Sequence, residues 1–303
     1  MEKGTHTKMQ VITGILASIS IFLTTVSVSL VLGLWTLQKS LSRGATRSKI
    51  QRRMDRIIIW WTRSNRWMIK RLALVDLQVT WSQPEEVSPE HWYLVISNHQ
   101  SWTDILILQT VLLDRIPPLK FFTKAELIWI PFVGIAMHAL GFPYVKRVSR
   151  AQIKADPSLR HADRDSVLAA CEGFKNHPTS ILNFVEGTRL TKEKHQRQAS
   201  EFTNLLRPKA GGIDYILQGM EGNLHRLVDV TIHYPDGAPT FWGFLKGQCE
   251  RVQIDIRQHA IPEFGQASER KSEVAQWVKS IWHDKDARLS TLQKDAQRVT
   301  CSA

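Results

Sequence analysis

The chain is short of cysteine, short of acid, and free of the signatures that usually accompany a strong positive charge. Only Cys171, Cys249 and Cys301 occur in 303 residues, far apart and without a C-x-x-C pair. That spacing offers neither a disulfide framework nor a zinc site, and it fits a reducing compartment. Asp and Glu number 28 against 40 Lys and Arg, so the net charge is +12. Such an excess implies a polyanionic neighbour: nucleic acid, anionic lipid or phosphorylated substrates. Nucleic acid is not expected, because no helix-turn-helix, zinc-finger or RNP-type pattern is present. No repeat or low-complexity tract divides the chain.

Charge is missing altogether from residues 11–37, VITGILASISIFLTTVSVSLVLGLWTL. At about 1.5 Å per residue this stretch spans a hydrocarbon core of about 30 Å with some tilt. A signal peptide has an apolar region of only about 7–15 residues followed by a small-x-small site. Neither applies, so residues 1–37 read as a tail and a retained transmembrane anchor. Lys3 and Lys8 precede the span, whereas Lys39, Arg43, Arg47, Lys49, Arg52, Arg53 and Arg56 follow it. The positive-inside rule then places the bulk of the chain in the cytoplasm. Residues 38–72 end in RRMDRIIIWWTRSNRWMIKRL, cations mixed with Ile57, Trp60, Trp61 and Trp67. This composition suits a helix lying on an anionic membrane surface. An ordinary amphipathic helix packed on the domain is the plainer alternative.

Residues 73–260 alternate strand and helix patterns. LVDLQVT, WYLVIS, GFPYVKR, TSILNFVEG, HRLVDVTIHYP and CERVQIDIR read as strands, and ILILQTVLL, DRDSVLAACEGFK and AGGIDYILQGM read as helices. The expected fold is α/β, with a partly parallel mixed sheet covered by helices. In residues 261–303, Val274, Trp277, Val278, Ile281 and Trp282 recur at helical spacing, giving a terminal amphipathic helix.

Sites in such sheets lie beyond the carboxyl ends of strands. Three strand ends carry reactive residues: Asn98, His99 and Asp104 in NHQSWTD; Lys146 and Arg147 after GFPYV; and Glu186, Gly187, Thr188 and Arg189 in EGTR. Each has a structural reading. Ser101-x-x-Asp104 has capping-box spacing before an apolar helix. Lys146 and Arg147 fit a solvated strand end, Gly187 a positive-φ turn, Thr188 a local cap, and Glu186 an ion pair with Arg189. Lys124 and Lys209 read as surface lysines, and His195 as a solvated residue of a polar run. Together, the three ends would set a histidine–aspartate pair beside a phosphate-sized group of cations.

The order of these motifs resembles that of the lysophosphatidate (1-acylglycerol-3-phosphate) acyltransferase family of glycerolipid acyltransferases. Its N-H-x4-D motif is Asn98-His99 to Asp104, its G-x5-R strand runs from Gly141 to Arg147, and its F-x-E-G-T-R motif is Phe184 to Arg189. The segment around Lys124, with Pro131 and Gly134, and the Lys209-Ala-Gly-Gly turn are also similar, and the resemblance covers about residues 70–235. NFVEGTRLTKEKHQ is most similar to YihG-type bacterial paralogues. One departure stands out: in the fourth motif, LVDVTIHYP, Asp229 and Thr231 lie within the strand and Pro235 only at its end.

The resemblance implies an acyltransferase domain at 73–260, anchored in a bacterial cytoplasmic (inner) membrane and facing the cytoplasm. A fatty acyl group would pass from acyl-CoA or acyl carrier protein to the sn-2 hydroxyl of a lysophospholipid, with no cofactor and no metal. His99 is the expected general base and Asp104 its orienting partner. Arg147, Arg189 and Lys124 are expected on the acceptor phosphate, and the family assigns Glu186 and Gly187 to acceptor binding, beside Thr188. Three rivals remain open: an acyl-thioester hydrolase, an inactive polyanion-binding paralogue, and transfer to another lysolipid.

Overall fold

The computed structural model describes residues 2–145, 154–156 and 161–301. Its organising element is the strand that is apolar at nearly every position. Strand β2 (Trp92–Ser97) buries Tyr93 and Val95 on one face and Leu94 and Ile96 on the other. Successive side chains of a strand point to opposite faces, so a continuous apolar run is what a sheet covered on both sides requires.

Around β2, strands β1 (Asp76–Trp81), β3 (Leu119–Phe121), β6 (Ser180–Phe184), β7 (Leu224–His233) and β8 (Arg251–His259) form one sheet in the order β1-β8-β7-β2-β6-β3. Strands β7, β2, β6 and β3 run parallel; β8 is antiparallel to β7, and β1 runs parallel to β8. The sheet is therefore mixed and partly parallel, as the alternating pattern implied. One strand falls elsewhere. Among the described residues, the GFPYVKR segment contributes β5 (Tyr144–Val145), which pairs with β4 (Thr123–Lys124) in a separate sheet. Of the three strand ends singled out, those of β2 and β6 belong to the main sheet.

Helices cover both faces. One face receives α3 (Thr103–Leu112) through Ile107, Leu108 and Leu112, α8 (Phe241–Leu245) through Phe244, and the end of α2 (Gly44–Arg71) through Met68 and Ile69. The other receives α5 (Ala162–Lys175), α7 (Gly211–Met220) and α9 (Ala267–Cys301). On α9 the expected stripe is present: Val274, Val278, Ile281 and Trp282 are buried, and Trp277 packs at the edge. Burial of each such side chain contributes roughly 1.5–3 kcal/mol.

Among the described residues, one helix, α1 (Glu2–Ser40), is long and apolar enough to cross a membrane. It pairs with α2, and its Ala17 enters the main core. Helix α2 has a packed face and an open one. Ile50, Met54, Ile57, Ile58, Met68 and Ile69 are buried within the protein, so the packed alternative describes its apolar face. Trp60, Trp67 and the cations Arg52, Arg53, Arg56 and Lys70 stay on the outside.

Candidate active site

The parallel trio β7-β2-β6 brings three chain segments together just past its carboxyl end. Asn98 locks two of them. Its Nδ2 donates to the Ile232 carbonyl at 2.8 Å, and its Oδ1 accepts from the Ile232 N–H at 2.9 Å. This side chain extends the β2–β7 pairing by one residue and fixes where the next residue, His99, leaves the sheet.

His99 is held at every polar backbone atom. Its N–H donates to Glu186 Oε2 at 2.8 Å, and its carbonyl accepts from the Leu190 N–H at 2.8 Å. The ring stacks on Phe184 with centroids 4.0 Å apart. Nδ1 lies 2.8 Å from Asp104 Oδ2. In the neutral ring this contact makes Nδ1 the donor and leaves Nε2 as the acceptor. The imidazole is 13 % exposed, so a ligand can reach it.

Asp104 is wholly buried and accepts four hydrogen bonds: from His99 Nδ1, from the N–H groups of Gln100 and Ser101 at 2.7 and 3.0 Å, and from the Tyr234 hydroxyl. The Ser101 contact is the back-reaching half of a capping box, while Ser101 Oγ accepts from the Thr103 N–H at 3.2 Å. Capping and orientation of the histidine are therefore the same geometry, since the helix start is what aims the carboxylate. Tyr234, just after β7, also contacts Thr103 Oγ1 at 3.0 Å. Burial first, then the neighbouring Asp104, push its phenol well above the usual range, so it is a standing donor.

The EGTR turn occupies the end of β6. Gly187 has φ +68° and closes the turn with its N–H on the Phe184 carbonyl. A Cβ there would lie 3.1 Å from Lys209 Nζ, so the lysine of the Lys-Ala-Gly-Gly turn runs alongside this glycine. Thr188 Oγ1 accepts from Lys194 Nζ at 2.7 Å. Arg189 is exposed and lies over the Trp102 ring at 4.8 Å.

Glu186 differs from expectation. It is wholly buried, and its two oxygens accept from the backbone N–H groups of His99 and Leu206 at 2.8 and 2.9 Å. The carboxyl therefore bridges the loop after β2 and the loop before α7. Burial pushes it up to about 7, against the two N–H donors and the charge of Lys285, with Asp104 adding to the rise. Of the remaining predicted residues, Lys124 lies in β4, in the smaller sheet. Arg147 and Lys146 lie outside the described residues. His195 is not solvated: it is half-buried, with Nε2 2.8 Å from the Phe202 carbonyl.

A family model described as Acyltransferase matches residues 78–233, the stretch that carries all of these motifs. The chain belongs to the acyltransferase family. It is 26 % identical over 71 % of its length to 1-acyl-sn-glycerol-3-phosphate acyltransferase 3 of Arabidopsis thaliana, covering 57 % of that protein. It is 23 % identical over 84 % of its length to 1-acyl-sn-glycerol-3-phosphate acyltransferase gamma of Homo sapiens, covering 66 %. A 2-acyl-1-lysophosphatidylinositol acyltransferase of Saccharomyces cerevisiae is 24 % identical over 65 % of this chain and 60 % of its own. The chain thus spans less than two thirds of these relatives. The crystal structure of the 1-acyl-sn-glycerophosphate (LPA) acyltransferase PlsC from Thermotoga maritima has the same fold, with a TM-score of 0.51 and 19 % identity over 89 % of this chain and 95 % of that one.

Strand β7 carries the polar Asp229 and Thr231 among its apolar residues. Asp229 and Thr231 face α9. Asp229 is wholly buried between Lys285, at 2.7 Å, and Arg288. Although burial raises it, the two cations hold its carboxyl below the ordinary value. Both α9 cations and Tyr234 escaped the sequence reading; the hint available was an otherwise unexplained aspartate in a strand.

Proposed function

We propose that the protein transfers a fatty acyl group from an acyl thioester, on coenzyme A or acyl carrier protein, to the sn-2 hydroxyl of lysophosphatidate at a membrane surface. The single observation that carries this reading is the 2.8 Å contact of His99 Nδ1 with buried Asp104 beside the EGTR turn. His99 Nε2 takes the acceptor's hydroxyl proton as that oxygen attacks the thioester carbonyl. The C–S bond then breaks, the thiolate takes the proton back, and an ester and a free thiol remain. Asp104 holds the tautomer and stabilises the imidazolium that forms in between. The substrate alcohol stands where a serine protease has its serine.

Arg189 of the EGTR turn and Lys209 beside Gly187 are assigned, with Arg147 and Lys124, to the acceptor phosphate, for which the planar arginine fork is suited. Glu186 positions His99 through its backbone. Gly187 and Thr188 shape the turn, and Thr188 binds Lys194. No cofactor enters the reaction. Helix α1 anchors the chain, the exposed Trp60, Trp67 and cations of α2 meet anionic headgroups, and the catalytic domain lies on the cytoplasmic side of a bacterial inner membrane.

The yeast relative's name favours a second acceptor, a lysolipid with a larger headgroup. The deciding assay incubates the membrane-bound protein with an acyl thioester and each lysolipid in turn, then analyses the lipids formed. Phosphatidate from lysophosphatidate is expected; free fatty acid formed equally with and without acceptor would replace the transferase by a hydrolase. His99→Ala should lower turnover by about 10²–10⁴-fold, and salt-sensitive membrane binding with no turnover in the unaltered protein would leave only the polyanion-binding reading.

A further inference from the structure

Helix α9 lies outside residues 78–233 matched by the family model, yet it reaches the site through Glu186. Trp282 Nε1 donates to the Leu206 carbonyl at 3.0 Å. The N–H of the same residue donates to Glu186 Oε1 at 2.9 Å, and Glu186 Oε2 accepts from the His99 N–H at 2.8 Å. An unbroken series of hydrogen bonds therefore runs from α9 to the catalytic histidine's backbone. Asp286 fastens the same loop a few residues earlier, accepting from the N–H groups of Thr203 and Asn204 at 2.9 and 2.7 Å.

The second link is a charge. Lys285, one helical turn from Trp282 and wholly buried, has its Nζ 2.7 Å from Asp229 Oδ1, 2.6 Å from the Val230 carbonyl and 3.2 Å from Thr231 Oγ1. Its charge also favours the ionised form of Glu186. Other charged groups around Lys285 and Glu186 are Arg288 on the same helix and, from packed elements, Asp104, Asp255 and His259; Arg288 pairs with both Asp229 and Asp255, and His259 lies 4.0 Å from Asp229. A buried ion pair of this kind is weak evidence of stabilisation, because desolvation opposes the attraction.

We propose that α9 is part of the catalytic apparatus: Trp282 and Lys285 are positioning residues that hold Glu186 in place, and Glu186 in turn fixes His99. The proposal deepens the acyltransferase reading and rests on it. Burial brings Glu186 up to about 7, so loss of a supporting cation is felt near neutral pH. Burial likewise lowers Lys285 to about 8, with Asp229 and Glu186 opposing.

The test uses the full chain in membranes, with lysophosphatidate and an acyl thioester, and measures kcat, acceptor KM and the pH profile. Trp282→Phe removes the indole donor and part of a buried ring, and Lys285→Met removes the charge and its contacts to Asp229, Val230 and Thr231 at similar length. Trp282→Phe is expected to lower kcat by about 3–10-fold with KM unchanged, about one neutral hydrogen bond's worth. Lys285→Met is expected to move the acid limb of the profile upward by at least half a pH unit. A folded Trp282→Phe protein with unaltered kcat overturns the proposal, as does a folded Lys285→Met protein with an unmoved acid limb. If Lys285→Met fails to fold, Trp282→Phe alone decides. His99→Ala is run alongside: if it keeps its activity, the acyl-transfer assignment of the site has failed, whereas inactive His99→Ala beside normal α9 variants refutes the α9 role alone.

Discussion

Replacing Asp104 with asparagine separates the carboxylate's charge from its shape. Its Oδ2 lies 2.8 Å from His99 Nδ1, 2.7 Å from the Gln100 nitrogen and 3.0 Å from the Ser101 nitrogen, while Oδ1 faces the Tyr234 hydroxyl. An asparagine can keep its amide oxygen on the three nitrogens and turn its NH2 to the Tyr234 oxygen, which accepts instead and donates to Thr103. The fold should therefore survive. What disappears is the attraction between a carboxylate and the imidazolium formed as the substrate proton arrives. With charge centres about 4 Å apart and an effective dielectric near 20, that attraction is about 4 kcal/mol, or about 10³ in rate. The side chains are 13 % and 0 % exposed, so salt and solvent screen little of it. Initial rates of Asp104→Asn, measured beside its thermal unfolding, provide the check. A folded variant that loses less than about tenfold would show that the carboxylate's charge is not used in the transition state.

Tyr234→Phe removes one buried donor to Asp104 and leaves Thr103 Oγ1 without that contact. A loss of about 1–2 kcal/mol in unfolding free energy is expected, with a several-fold lower kcat; an unchanged unfolding curve would contradict it. Gly187→Ala forces a side chain onto φ +68°, at about 1–2 kcal/mol, and pushes its Cβ toward Lys209. Its acceptor KM should rise more than its thioester KM, and an equal change in both would argue against a phosphate site at this turn. Glu186 gives a pH prediction with two opposite signs. Its folded value of about 7 lies above its ordinary 4.5, so between these limits the folded state holds the extra proton. Lowering the pH through this window should reduce turnover, as the brace on His99 protonates, while this group's contribution to stability increases. Comparing the unfolding of wild type and Glu186→Gln from pH 4.5 to 7 tests the sign, and a gap between them that does not change with pH would refute it.

The site was legible where its chemistry is local. His99 and Asp104 lie within one strand-to-helix junction, where spacing along the chain fixes spacing in space. Gly187 was readable because a positive φ calls for glycine. Strand order is a different matter: nothing local in GFPYVKR separates a main-sheet strand from one that pairs with β4. For the same reason, the two long-range N–H donors to buried Glu186 could not be read from its motif alone. The amphipathic pattern of α2 showed that one face is apolar but not whether lipid or protein covers it. Trp282 appeared only as one more apolar position, because its indole donor serves a loop 76 residues away.

The placement of α1 bears on any attempt to handle the enzyme outside a bilayer. Ala17 is buried in the main core with Ile21 packed against it, Ser29 Oγ reaches the Phe132 carbonyl at 3.0 Å, and Trp61 donates to Thr25. A helix so knitted in is no detachable leash. Trimming the gene to start past Ser40, a common route to a water-soluble product, would leave an open seam along the catalytic body, and the yield is expected to collect in aggregates. Lipid discs or mild surfactant around the intact polypeptide are the safer choice.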